Sequence, residues 1–365
     1  MKSTTQFKFI KTLALFGVAV SLLYAVSCSK SDNNPPPPPV TNKTALKAAI
    51  DSGTWYINNT VEGTKPGQYT AGSKATLNTA ISSATAILND PTSTQTTLDN
   101  ATTNMQKAIN DYHGAYIQQI AAANLIAYWK MNGNANDSTG NGHNGVVTQG
   151  HAFFGAGTPT LTADRFGNAN MAYHFDKGGN IEVPYATTLN PSSMSISLWV
   201  RSDTAKRAVN DANRYMIAMD RWNGWKFQTQ PSLPFFTVHA IETGPPVDTT
   251  YYDRDDAGVA LNSATTWFHL VVTFTPGEED FYINGSLVKK WTDVPGTPIS
   301  ISATPVNITI GSDLPVSKYL TVDPTGNWLV DYGGFWSGDM DDVMFYNIAL
   351  TAPQVQSIYN DQATQ

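Results

Sequence analysis

Aromatic side chains beside polar groups are the first candidates for chemistry in this sequence. The chain holds 9 Trp and 16 Tyr, and several of them adjoin Asp, Asn or Arg. The flat C–H faces of sugars stack on such rings, while their hydroxyls pair with carboxylate, amide and guanidinium groups. The alternative is that these rings close one end of the fold and bind nothing. The predicted sugar-binding residues are Trp222, Tyr251, Tyr252, Arg254, Trp328 and Trp336.

Acidic clusters are the second candidates. Two carboxylates about 5–5.5 Å apart can cleave a glycosidic bond with retention, and i, i+2 or i, i+4 spacing on a strand approaches that separation. The cluster at 278–280 falls in a predicted turn, and the cluster at 253–256 falls in a loop-like stretch. Neither shows the pattern of acidic residues alternating with aromatics that a catalytic strand of a glycosidase would have, and no Gly-x-Ser-x-Gly elbow is present. We therefore predict no catalytic residue.

A third candidate is an ion site formed by Asp137 and Asp341. Asp137 lies in a loop rich in Gly and Asn, whose carbonyl groups can turn inward. Calcium takes about six to eight oxygen ligands, which such a loop and a second carboxylate can supply. Asp342 is the weaker candidate, because strand alternation sends it to the opposite face from Asp341. The alternative is that Asp137 caps an Asx turn and Asp341 is a solvated strand residue.

Length, charge and cysteine content narrow the class of protein. The chain has 365 residues, which corresponds to roughly two domains at about 150 residues each. Lys and Arg number 22 against 29 Asp and Glu, so the formal charge of −7 does not favour a nucleic-acid partner. The single cysteine excludes an intramolecular disulfide and a multi-cysteine zinc site. Only 14% of residues are charged, which favours an extracellular all-β domain.

The first 27 residues are predicted to be a signal peptide. Three lysines precede the apolar run 13–26, which is too short for a spanning helix of about 20 residues. The small residues at 25–27 stand directly before Cys28, the only cysteine of the chain. This arrangement resembles the signals of bacterial lipoproteins, which implies that Cys28 is lipidated and becomes the new N-terminus. An ordinary signal peptide is the alternative.

Residues 28–40 are predicted to be a tether. Five consecutive prolines at 35–39 favour an extended polyproline II conformation of roughly 3.1 Å per residue. Several acyl chains on Cys28 would attach the protein stably to a membrane. We expect an outer-membrane location, facing either the cell surface or the periplasm.

In residues 41–120 the apolar residues recur at the spacing of an α-helix. The spacing predicts amphipathic helices packed as a small all-α three-helix bundle. The stretch 62–69 and the helix after it resemble the FIVAR modules of bacterial surface proteins, which implies a spacer or a weak sugar-associated unit; we expect a spacer. The apolar steps lie at Leu77, Ile81, Ala84 and Leu88 and at Leu98, Ala101, Met105, Ala108 and Tyr112.

From residue 125 onward the pattern changes to that of strands. Short runs of β-branched and aromatic residues stand between clusters of Gly, Asn, Asp and Pro, and Ile196, Leu198 and Val200 alternate as one buried face. Asn284-Gly285 is a hairpin turn signal, because both residues tolerate positive φ. Many short strands without intervening helices predict a sandwich.

Several motifs in this region lie at Leu125–Lys130, Asp137–Gly145, Ala172–Asp176, Ser195–Val200, Trp267–Phe274, Asp280–Ser286 and Gly338–Asn347. Together they resemble the laminin-G-like, concanavalin A-like jelly rolls of bacterial surface and glycan-handling proteins. The resemblance implies an all-β jelly-roll sandwich over residues 121–365. It also implies a structural calcium between the opening loop and the closing-strand aspartate. The motifs are specific for the fold and not for an activity.

These observations lead us to expect a lipid-anchored protein that binds a polysaccharide without cleaving it. A protein-binding adhesion module is the first alternative, and a glycoside hydrolase of the same fold is the second. We expect a glycan and the membrane as partners, with adhesion or glycan-uptake proteins as further partners. Stacked aromatics in a groove would favour sugar, and two facing carboxylates in a cleft would favour hydrolysis.

Overall fold

The computed structural model describes residues 41–203, 214–230, 232–242, 248–255, 261, 263–322 and 333–364. The predicted signal peptide, Cys28, the proline tether and Trp328 lie outside the described residues.

Three helices form the N-terminal module, as the apolar spacing predicted. Their facing side chains share one small core that includes Leu46, Leu77 and Leu98. Thr94 caps the third helix, because its hydroxyl accepts a 3.2 Å bond from the Thr97 amide. The elements are α1 (Thr44–Asn59), β1 (Glu62–Gly63), β2 (Tyr69–Thr70), α2 (Ser73–Asn89) and α3 (Gln95–Gly114).

Two eight-stranded antiparallel sheets form the C-terminal sandwich, which confirms the predicted fold class. The strands of the first half are β3 (Leu125–Trp129), β4 (Val146–Thr148), β5 (Thr160–Thr162), β6 (Ala172–Phe175), β7 (Asn180–Val183), β8 (Met194–Ser202), β9 (Arg214–Met219) and β10 (Trp225–Thr229). Those of the second half are β11 (Pro234–Glu242), β12 (Asp248–Asp255), β13 (Phe268–Thr275), β14 (Glu278–Ile283), β15 (Ser286–Trp291), β16 (Thr297–Pro298), β17 (Ile308–Ile310) and β18 (Gly338–Tyr346).

We call the two layers sheet I and sheet II. Sheet I has the order β12-β11-β10-β9-β17-β7-β4, with β16 beside β11. Sheet II has the order β15-β14-β13-β8-β18-β6-β5, with β3 beside β18. The outer face of each sheet is the one turned away from the other sheet.

The main core fills the space between the sheets. Trp225 and Phe227 of β10 point inward and meet Phe345 and Phe281 of sheet II, with ring centroids 5.4 and 6.5 Å apart. Burial of each such aromatic side chain stabilises the fold by roughly 1.5–3 kcal/mol. Because side chains alternate along a strand, the residues between these aromatics belong to the outer face of sheet I.

Helix α5 (Ala352–Gln362) packs on the outer face of sheet II. Its Val355 joins Met344 and Tyr346 in a second small core, and its Tyr359 stacks on Trp199 with centroids 5.8 Å apart. A shorter helix, α4 (Val316–Val322), follows β17. No helix in the described part of the chain is long and apolar enough to cross a membrane.

The β14–β15 hairpin partly follows the sequence prediction. Asn284 and Gly285 form its two-residue turn with φ of 50° and 77°, as expected.

The acidic cluster predicted to be a turn instead lies on β14. Glu279 shares the inward face with Phe281 and is fully buried. Neither of its carboxylate oxygens has a hydrogen-bond partner among the described residues, and burial raises the pKa of Glu279 well above its usual value.

Candidate functional site

Strand alternation places a stacked pair of rings on the outer face of sheet I. In β11, Phe236 and Val238 enter the core, so His239 points away from it. The register pairs His239 with Tyr251 of β12. Their rings stack with centroids 4.2 Å apart and planes at 25°. Tyr251 keeps 46% of its surface exposed, so this face presents an accessible ring that a neighbouring ring supports.

A tight loop after β9 brings Trp222 to the same region. Asp220 and Arg221 have φ of 56° and 53°, a left-handed conformation that is uncommon outside glycine. The loop is tied to β11 by a 2.8 Å bond from the His239 amide to the Gly224 carbonyl. Trp222 is half-buried and precedes Gly224 by two residues, so this bond holds it near His239. Backbone strain of this kind is often retained at functional sites.

A buried ion pair anchors this loop. Nε of Arg221 donates a 2.5 Å bond to the Asp313 carboxylate, and the Tyr319 hydroxyl donates a second 2.5 Å bond to the same group. All three residues are buried, and burial together with Asp313 raises the pKa of Tyr319. Breaking a buried pair typically costs about 3–5 kcal/mol, so this contact fixes the loop that carries Trp222.

Lys226 lies among aromatic rings on the same face. Its neighbours in β10 both enter the core, so alternation turns Lys226 outward, yet only 7% of its surface is exposed. Burial lowers the pKa of Lys226 to about 8. Its Nζ lies 5.2 Å from the ring centroid of Phe235, 5.6 Å from that of Tyr215 and 5.9 Å from that of Trp222.

We call the set formed by Trp222, Lys226, Phe235, His239 and Tyr251 the aromatic face. Sequence reasoning missed Lys226, Phe235 and His239. The signal that could have found Lys226 is its position between two large aromatic residues of one strand, since alternation then forces a cation onto the opposite face.

Two carboxylates adjoin the aromatic face on β12, the edge strand of sheet I. Asp253 and Asp255 stand opposite Thr237 and Phe235 in the register. The Asp253 carboxylate accepts a 2.5 Å bond from the Thr237 hydroxyl. Both aspartates are exposed. The prediction that this cluster lies in a loop is wrong for residues 253–255, because pairing with β11 extends β12 through Asp255.

Two family models match the sequence. Residues 42–113 match the FIVAR domain, and residues 175–356 match Laminin_G_3, described as the concanavalin A-like lectin/glucanases superfamily. The chain carries both domains. The resemblances on which the fold prediction rested are thereby confirmed, and the aromatic face belongs to the concanavalin A-like domain. No curated protein matches the sequence.

Solved structures of several proteins are similar to this chain at low identity. Domain 4 of an extracellular arabinanase from Geobacillus stearothermophilus, in complex with arabinotriose, is 18% identical with a TM-score of 0.44, covering 64% of this chain and 98% of that domain. The receptor-binding domain of botulinum neurotoxin mosaic serotype C/D is 15% identical with a TM-score of 0.44 over 67% of this chain. The binding domain of Paraclostridial Mosquitocidal Protein 1 is 14% identical with a TM-score of 0.45 over 67% of this chain. The matches span 52% and 53% of the two toxin domains.

The concanavalin A-like domain brings together only some of the predicted sugar-binding residues. Trp222 and Tyr251 both belong to the aromatic face. Tyr252 follows Tyr251 on β12 and therefore points into the sandwich, where its hydroxyl donates a 2.8 Å bond to Glu242. Arg254 shares that inward side and pairs with Asp293 at 3.0 Å. Trp336 is fully buried in the main core, which removes it from the surface where we predicted it.

The contacts of Asp137 are those of a hydrogen-bonded loop. Its carboxylate accepts bonds of 3.1, 2.9 and 3.2 Å from the backbone amides of Tyr128, Thr139 and His143. Although burial opposes the effect, these donors lower the pKa of Asp137. They satisfy a negative charge as an Asx-type turn does.

Asp341 has a different partner. It pairs with Nη1 of Arg165 at 2.5 Å, while Nη2 of Arg165 binds Asp342 at 2.8 Å. A β-bulge between residues 341 and 344, with φ of 49° at Asp342, breaks the alternation that we expected to separate the two aspartates. Burial and the Asp342 carboxylate raise the pKa of Asp341 above its usual value.

These two sets of contacts do not fit a single calcium ion. Asp137 and Asp341 share no hydrogen-bond partner among the described residues, and each faces N–H donors, which cannot coordinate a cation. In the described ranges, no group of three or more His, Cys, Asp and Glu side chains could hold a metal ion.

Proposed function

We propose that the aromatic face of the concanavalin A-like domain binds carbohydrate without cleaving it. The observation that carries this proposal is the exposed ring of Tyr251, which stacks on His239 and is held close to the loop of Trp222. A ring fixed by a neighbour loses little conformational entropy when a pyranose stacks on it. Rings of this kind are the apolar part that a sugar site needs.

Polar groups beside the rings supply the second requirement. Asp253 and Thr237 lie in the adjacent register positions of β12 and β11, and the Asp253 carboxylate retains acceptor capacity beyond its bond to Thr237. Sugar hydroxyls donate readily to such an acceptor. The combination of apolar rings with a few fixed polar groups is typical of small-molecule sites.

A glycoside hydrolase is the second candidate, and the spacing of Asp253 and Asp255 favours it. Both carboxylates occupy the same face of β12 two residues apart, an arrangement that can bring two carboxyls to the separation needed for catalysis. Binding without cleavage is nevertheless the better-supported role. Both aspartates are exposed at a sheet edge, whereas a general acid for this reaction is normally desolvated.

The remaining parts of the chain complete the proposal. Lipidation of Cys28 would anchor the protein in the outer membrane, the proline tether and FIVAR domain would act as a spacer, and the aromatic face would meet glycans on the surface or in the periplasm. Membrane fractionation tests the anchor. Wild-type protein should sediment with membranes, and the Cys28→Ala variant should not.

A glycan array of the soluble chain from residue 41 onward tests the function. Saturable binding to one class of polysaccharide, with no release of reducing ends, is the expected result. Release of reducing ends that Asp255→Asn abolishes would make the protein a hydrolase. No binding to either neutral or acidic polysaccharides on the array would instead favour the protein-binding alternative.

A further inference from the structure

Lys226 is a buried cation for which the described residues provide no anion. Its Nζ lies over the rings of Phe235, Tyr215 and Trp222. Among the residues that the structure describes, no carboxylate lies within ion-pair distance of its Nζ. None accepts a hydrogen bond from it either.

Two neighbouring arginines, buried Arg221 and half-buried Arg254, differ in that respect. Arg221 pairs with Asp313, and Arg254 pairs with Asp293. Asp253 is the carboxylate that interacts most strongly with Lys226, but it accepts its 2.5 Å hydrogen bond from the Thr237 hydroxyl. Burial of a charge without a counter-ion costs free energy. A ligand that supplied an anion to Lys226 would offset that cost.

The geometry also limits what that anion can be. The ammonium group is a single cation whose Nζ lies between 5.2 and 5.9 Å from the ring centroids of Phe235, Tyr215 and Trp222, so it can pair with one anionic group at a time. The whole protein carries a formal charge of −7, which opposes long-range attraction to polyanions and does so more strongly as the number of charges per sugar rises. A sugar with a single carboxylate per residue meets both conditions, since its ring can stack while its carboxylate pairs with the cation.

On the basis of the proposed function, we propose that the glycan bound by the aromatic face is acidic, and that a uronic acid carboxylate pairs with Lys226. In this arrangement the pyranose ring stacks on Tyr251 or Trp222. Lys226 is then the residue that selects acidic over neutral polysaccharides.

A pair of matched polymers tests the inference. Polygalacturonate and its fully methyl-esterified form share one backbone and differ only in the methyl ester that removes the charge. Alginate and dextran provide a second acidic and neutral comparison. The full-length mature protein should bind the acidic member of each pair roughly tenfold or more tightly. Lys226→Met keeps the apolar stem and should bind both members equally, whereas Lys226→Arg should keep the preference.

Each other outcome is decisive. Equal binding of acidic and neutral polymers by the wild type would overturn the inference and leave the proposed carbohydrate binding intact. Binding of none of the four polymers would overturn both. Tighter binding of dextran sulfate than of polygalacturonate would overturn the assignment of a carboxylate. Because Lys226→Met removes a buried charge, we expect its melting temperature to equal or exceed that of the wild type. The comparison of polygalacturonate with its ester uses the wild type alone, so it does not depend on any variant.

Discussion

The imidazole of His239 stacks on the phenol of Tyr251 across two neighbouring strands, at 4.2 Å between centroids. The pair lies at the edge of sheet I, where β12 pairs with β11 alone among the described strands. Cross-strand aromatic pairs stabilise a sheet by roughly 0.2–1 kcal/mol, so loss of the exposed partner should cost little stability. Because Tyr251 is exposed and contributes little to stability, its substitution tests binding without unfolding the protein.

Tyr251→Ala should weaken glycan binding by about threefold to tenfold, because the stacking surface is lost. Its melting temperature should change by no more than a few degrees. Isothermal titration with the glycan identified on the array measures the first quantity, and thermal unfolding measures the second. Phe153→Ala is the matched control, since Phe153 is also an exposed aromatic residue but belongs to a short helical turn at 152–154. An equal loss of affinity in both variants would contradict a specific role for Tyr251.

Trp336→Ala should destabilise the protein rather than affect binding directly. The residue is fully buried in the main core, and removing a buried Trp side chain costs about 3–5 kcal/mol. Urea unfolding of the variant and the wild type gives the difference. Trp336→Phe, which leaves a smaller cavity, should lose less. If Trp336→Ala unfolded at the wild-type urea concentration but bound glycan weakly, the residue would belong to the binding surface after all.

Glu279→Gln should stabilise the protein at neutral pH. Burial raises the pKa of Glu279 in the folded state above the value of 4.5 that it has in solvent. Above about pH 4.5 the folded state therefore holds a proton that the unfolded state has lost, and the free energy of unfolding falls as pH rises toward the folded pKa. Each unit of pKa shift corresponds to about 1.4 kcal/mol.

The measurement is urea unfolding of the wild type and Glu279→Gln at several pH values from 4 to 8. The variant cannot titrate at this position, so its advantage over the wild type should grow with pH. Glu278→Gln is a useful control, because Glu278 precedes it on the same strand and is partly exposed. An advantage that stayed constant across the range would show that folding does not shift the pKa of Glu279.

The sequence predicted the architecture better than the site, for physical reasons. Periodicity alone identified α1 to α3, because a helix repeats its apolar positions over many residues. Tyr251 and Tyr252 look alike in sequence, and only the phase of β12 decides which one faces solvent. A single bulge brought Asp342 beside Asp341, and no local pattern predicts where a bulge occurs. Lys226 gains its significance from rings on two other strands and a loop, which only tertiary structure brings together.

Calcium should leave the melting temperature nearly unchanged, because Asp137 is already satisfied by three backbone amides and Asp341 by Arg165. A cation would have to displace these donors before it could bind either carboxylate. The comparison is thermal unfolding in excess calcium and in chelator. A site occupied at 100 times its dissociation constant would add about 2.7 kcal/mol, which corresponds to a shift of several degrees. If Asp137→Asn abolished such a shift while Asp255→Asn did not, the predicted calcium site would be established. The loop around Asp137 would then have to rearrange on binding.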